Sequence, residues 1–117
     1  GGRYQLGNDY KNYWWVQNAS TIRLRGFAET NMAEASMSIT DNTNVKLLVK
    51  RSGSVIDFFV NGSKLTTTQQ TTNTAFTFRS LGWAYNNPVY KVGGTIKQAL
   101  VFELALTDAE AIALTTL

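Results

Sequence analysis

Apolar and polar residues alternate with a period of two along much of this chain, which commits it to strands. Successive side chains of a strand point to opposite faces, so every second residue can face a core. In Thr21-Ile22-Arg23-Leu24-Arg25, Ile22 and Leu24 take one face and the two arginines the other. Ala33, Ala35, Met37 and Ile39 alternate in the same way with Glu34, Ser36 and Ser38. Val45 to Lys50 is a third strand, with Val45, Leu47 and Val49 on one side; Val55 to Val60 (VIDFFV) is a fourth, mostly buried one. Between them Arg51-Ser52-Gly53-Ser54 supplies a turn in which Gly53 can take positive φ. Asn61-Gly62 marks the next hairpin, because a type I′ turn needs positive φ at both central positions.

Further on, the polar run from Thr66 to Thr74 reads as an edge strand or loop. Phe76, Phe78 and Leu81 resume strand character up to Gly82. Trp83 to Pro88 is expected to be a loop, ended by the chain's single proline. Gly93-Gly94 breaks the pattern again before a last strand, Thr95 to Leu104. Thr107-Asp108-Ala109-Glu110 has the form of a capping box and opens a helix of about two turns over Ala109 to Leu114. No internal repeat or linker interrupts the 117 residues, so they form a single domain. The fold class is all-β and antiparallel, with two packed sheets and a short C-terminal helix.

The chain contains neither His nor Cys. That removes Ser-His-Asp and thiol catalysis, disulfides and the usual zinc sites, and leaves only oxygen ligands for a metal. Its net charge of +3 is spread thinly, and no basic run exceeds Lys50-Arg51, so nothing in it indicates nucleic acid. No apolar stretch approaches the ~18 residues of a membrane-spanning helix.

The order of motifs in the second half is distinctive. Phe59-Val60-Asn61-Gly62 is followed by a strand ending in Leu81-Gly82, then Gly94-Thr95-Ile96, then Leu106-Thr107-Asp108-Ala109-Glu110. This layout resembles the concanavalin A-like lectin and laminin G-like superfamily, closely over residues 45–117 and loosely over 1–44. The closing Ala113-Leu114-Thr115-Thr116-Leu117 is similar to the ends of such domains in phage tail-fibre proteins. The resemblance implies a jelly-roll sandwich lacking its first strand or strands. It also implies a setting at a virion surface or outside the cell, with assembly into a homo-oligomer or larger particle.

Some members of that superfamily are glycosidases, which need a pair of carboxylates about 5–9.5 Å apart. No matching acidic strand motif occurs here: Asp57 and Glu103 stand alone, and Asp108 with Glu110 belongs to the helix cap. A non-enzymatic protein is expected. Sugar binding instead needs rings to stack on pyranose faces and amides to bond hydroxyls. Trp83, Tyr85, Asn86, Asn87 and Tyr90 offer both, so they are the candidate glycan-binding residues. Trp14 and Trp15 are adjacent, so on a strand they take opposite faces; one of them is an interface candidate. Arg23 and Arg25 could align with Lys46 and Lys50 as a basic face for anionic glycans. No cofactor is expected. Calcium would fall to the oxygen-rich turns around Asp9 and Asp41, which lack the 6–8 ligands it takes. Asn18 and Asn61 fit a glycosylation pattern that is commonplace in a chain with ten Asn, fifteen Thr and seven Ser. The leading function is glycan recognition for host attachment. The alternatives are a purely structural virion module, bound to neighbouring subunits, and an extracellular bacterial adhesion domain.

Overall fold

The computed structural model describes residues 5–9, 12–17, 21–25, 31–40, 42–69, 80–81, 83–84, 87–91 and 95–117. In chain order the elements are β1 (Gln5–Asp9), β2 (Asn12–Gln17), β3 (Thr21–Arg25), β4 (Asn31–Ser36), β5 (Leu47–Ser52), β6 (Val55–Val60), β7 (Ser63–Lys64), β8 (Thr67–Gln69), β9 (Ser80–Leu81), β10 (Trp83–Ala84), β11 (Asn87–Lys91) and α1 (Asp108–Thr115). They make a six-stranded sheet in the order β8-β4-β3-β2-β1-β9, a three-stranded sheet β5-β6-β7 and a two-stranded ribbon β10-β11. Every pairing is antiparallel. The class is all-β with one short C-terminal helix, as the alternation predicts.

The core forms where the inward parity of β4 meets that of β6. Ile56, Phe58 and Val60 pack on Ala33, Ala35 and Met37, with Ile39, Val45, Leu47, Val49 and Leu65 around them. Small side chains on β4 face large ones on β6, which is how a close-packed interior fills without voids. The period of two outlasts its strand: Met37 and Ile39 keep the inward parity beyond Ser36, the last residue of β4. Phe59 has the opposite parity to Phe58, yet it too is fully buried. The reason is α1, which packs on β5, β6 and β7 and turns Ala111 and Thr115 inward. Each buried ring contributes roughly 1.5–3 kcal/mol of transfer free energy.

Two turns set the hairpin register. Gly53 sits at φ 61°, and Ser52 pairs with Val55 across it. Asn61 and Gly62 take φ 48° and 81°, the two positive values of a type I′ turn. The Asn61 side-chain oxygen also accepts from the Lys46 amide at 2.8 Å, while its own N–H donates to the Lys46 carbonyl at 3.0 Å.

The polar run after Leu65, read as an edge strand or loop, gives β8 over Thr67–Gln69 at the end of the six-stranded order; residues 70–74 lie outside the described residues. The last residue of β8 ties the two sheets together. Gln69 lies opposite Ala33 on β4, and its amide brackets Ile56 on β6, accepting from the Ile56 N–H at 3.1 Å and donating to the Ile56 carbonyl at 2.5 Å. A side-chain amide thus replaces the next strand where β7 has ended.

Thr95–Leu104 departs from expectation. It is neither strand nor helix, and Val101 and Leu104 are 87% and 84% exposed. Alternation marks a segment that can show two faces; a strand also needs a neighbour to bond, and among the described residues Thr95–Leu104 has no ladder partner. Its described anchor is a bond from Lys97 Nζ to Asn44 Oδ1 at 2.9 Å. Phe76 and Phe78 lie outside the described residues.

The two turn glycines separate backbone strain from crowding. An added Cβ at Gly53 meets open space, whereas at Gly62 it would lie 2.9 Å from Thr116 Oγ1 at the end of α1. Both alanine variants bear the left-handed strain of about 1–2 kcal/mol. Gly62→Ala should cost on the order of 1 kcal/mol more, read as a larger drop in the urea midpoint. Equal losses would mean that the helix end does not press on the turn.

Candidate functional site

The Trp83–Tyr90 segment is a ribbon, not the expected loop. Trp83 stands in β10, and Asn87 and Tyr90 stand in β11; Tyr85 and Asn86 lie outside the described residues. Ala84 pairs with Asn87 and Trp83 with Lys91, so Pro88, Val89 and Tyr90 fall between the two pairs. Such an irregularity is a place where a strand can hold a proline, because the missing N–H interrupts no regular ladder. The ribbon packs alongside β1.

The four basic residues expected on one face are divided between two sheets. Arg23 and Arg25 belong to β3 in the six-stranded sheet, whereas Lys50 belongs to β5 in the three-stranded one and Lys46 immediately precedes it. Both lysines are engaged by the C-terminal helix. Lys46 Nζ donates to the Thr116 carbonyl at 2.8 Å. Lys50 Nζ lies 2.5 Å from Asp108 Oδ1 and 5.8 Å from the centre of the Phe59 ring. Lys64 reaches the other oxygen of Asp108 at 2.8 Å and Asp57 at 3.6 Å. A carboxylate on the first turn of the helix is therefore held between two lysines of the sheet, where the helix dipole also favours negative charge. Thr115 completes the seat: its hydroxyl donates to the Ala111 carbonyl at 2.7 Å and accepts from the Gly62 N–H at 3.2 Å. In the sequence these lysines look like an open face because their partners lie 70 residues from Lys46 and 58 from Lys50.

Cross-strand register places the tryptophans. Trp14 shares a row with Leu6, Leu24 and Ala33, the parity that at β4 faces the core. Trp15 shares a row with Gln5, Arg23, Glu34 and Thr68. One row further along β2, Tyr13 pairs with Arg25; in the other direction Gln17 pairs with Thr21. At β4 and β8 this second parity carries half-buried Glu34 and exposed Ser36 and Thr68. An open polar depression lined by Glu34, Ala35, Ser36, Thr66 and Thr68 lies at that end of the sheet. The sequence shows Tyr13 in one aromatic run with Trp14 and Trp15, and register adds its pairing with Arg25. The signal was there: a hairpin pairing Gln17 with Thr21 necessarily pairs Trp15 with Arg23 and Tyr13 with Arg25.

The oxygen-rich turns divide differently. Asp9 ends β1 and Asp41 lies outside the described residues. Beside it Asn42 takes φ 60°, and the Thr43 hydroxyl donates to the Thr40 carbonyl at 2.6 Å. Among the described residues no three carboxylates gather closely enough to hold a metal. Comparison with known proteins finds no matching family model, no matching curated protein and no matching solved structure.

The helix seat makes stability depend on acid. The Asp108 carboxyl is held below its usual range, first by the hydrogen bond from Lys50 and then by that from Lys64. Glu110 is held low by the Thr107 backbone N–H and then by its hydroxyl. A carboxyl depressed in the folded state stabilises the fold above its unfolded pKa of about 4 and loses that contribution as pH falls through the folded value. The urea midpoint should therefore drop on acidification below about pH 4, and Asp108→Asn should flatten that dependence. An unchanged acid profile in the variant would contradict the assignment.

Proposed function

We propose that the chain is a non-enzymatic glycan-binding module, a lectin-like jelly roll of the concanavalin A-like type that serves host attachment at a virus or phage surface. The observation that carries this reading is the β10–β11 ribbon. It sets Trp83, Asn87 and Tyr90 on one two-stranded unit, residue types that supply rings for sugar faces and an amide for sugar hydroxyls. The sequence from 58 to 102 contains no Asp or Glu, so this segment can hold a sugar but has no carboxyl pair with which to cleave it. The sandwich is supported by the meeting of two antiparallel sheets through Phe58 and its neighbours.

A glycan array of bacterial and animal surface sugars, probed with the folded chain with and without calcium, tests this. A specific hit should weaken at least about tenfold, or about 1.4 kcal/mol, in Trp83→Ala. Silence from a folded sample would overturn the reading. Silence combined with self-association that Trp14→Ser or Trp15→Ser abolishes would leave the structural virion module.

A further inference from the structure

We propose that residues 95–104 are an interface between two copies of this chain, which pair antiparallel about a two-fold axis at Leu100. The inference goes beyond the glycan reading and uses none of the ribbon's residues.

The segment has the pattern of a strand and no neighbour. Ile96, Leu100 and Phe102 are 39%, 55% and 50% exposed, and Val101, of the opposite parity, is 87% exposed. Every residue from 95 to 104 is exposed, and among the described residues none of them joins a ladder. Neighbouring apolar side chains left open in this way mark a surface that another chain covers. Backbone N–H and C=O groups outside any ladder are also a template for strand pairing. The chain bends at Glu103 and Leu104, so the new ladder is confined to residues 97–103.

Charge selects the occupant and its register. Within residues 97–103 the charged side chains are Lys97 at the start and Glu103 at the end, with Leu100 midway between them. Laid antiparallel on a second copy with Leu100 opposite Leu100, Lys97 falls opposite the partner's Glu103, and Glu103 opposite the partner's Lys97. The same register sets Ala99 against Val101 and Gln98 against Phe102. Opposite charges and apolar pairs facing each other across a ladder stabilise it. No other antiparallel register opposes the two charges, and a parallel in-register pairing would set like on like. Both charges are available. Lys97 donates one of its three protons to the neutral amide of Asn44 at 2.9 Å, and among the described residues Glu103 makes no ion pair. A ladder of seven residues is far smaller than a standard interface, so the dimer is a weak one that forms at high protein concentration.

The test is sedimentation of the folded chain over a range of concentrations, with disulfide trapping to check the register. A reversible dimer should form. Lys97→Glu and Glu103→Lys should each weaken it about tenfold, and the two together should restore it. Asn44→Ala, which removes the anchor of Lys97 but no charge, should leave it unchanged. The chain has no cysteine of its own. Leu100→Cys should therefore give a covalent dimer on mild oxidation, because facing Cα atoms of an antiparallel pair lie about 4.5–5.5 Å apart. Gln98→Cys should not, because its two copies would stand about 14 Å apart along the ladder. Urea midpoints confirm that the variants are folded. A monomer at every concentration, a dimer indifferent to both charge reversals, or equal trapping of Gln98→Cys and Leu100→Cys would overturn the proposal. A dimer that Trp14→Ser dissociates and the charge reversals do not would also overturn it and place the interface on β2.

Discussion

The packing of Ile56, Phe58 and Val60 against Ala33, Ala35 and Met37 settles more than the stability of two sheets. By turning Ala33 and Ala35 of β4 inward it turns Ser36 outward, and the pairings Ala35–Ile22, Glu34–Arg23 and Ala33–Leu24 carry those rows onto β3 until the register shifts at Arg25. A slip of one residue would exchange the two sets, moving Trp14 to the outer rows and Arg23 to the core side. At β4 such an exchange would bury Glu34 and Ser36 in place of Ala33 and Ala35, which desolvates a carboxylate.

A strand buried on both faces needs a cover on each, and β6 draws its covers from opposite ends of the chain. On one side lies β4; on the other lies α1, whose eight residues make it too short to persist without packing. The clamp of Asp108 between Lys50 and Lys64, the Lys46 bond to Thr116 and the close approach of Gly62 to Thr116 fix the helix where Phe59 needs it. Gln69 performs a comparable service at the strand edge. These polar contacts orient elements that apolar burial has already brought together.

Local features were legible in the sequence because their causes are local. The β5–β6–β7 hairpins follow from alternation and from glycines at required positive φ, and the helix start follows from its capping box. The Phe58-Phe59 doublet carried the mark of two-sided burial as well. What could not be read was the identity of neighbours. Thr95–Leu104 alternates like a strand and, among the described residues, lacks a ladder. Lys46 and Lys50 look like a solvent face until the helix is placed over them. Pro88 ends a regular strand but is accommodated where register shifts. For the candidate sites, the residue types were visible, and their grouping depended on register. The Trp15–Arg23 and Tyr13–Arg25 pairs needed a turn of known length between Gln17 and Thr21.

The assignment of parity to the six-stranded sheet is the claim on which both the outward rows and the core depend, and the adjacent tryptophans report it directly. Acrylamide quenching should be compared in two variants that each keep one of them, Trp15→Phe/Trp83→Phe and Trp14→Phe/Trp83→Phe. The account predicts that Trp14, in the row of Leu24 and Ala33, is shielded and emits to the blue, while Trp15, in the row of Arg23 and Glu34, is readily quenched. Greater access to Trp14, or equal access to both, would contradict it.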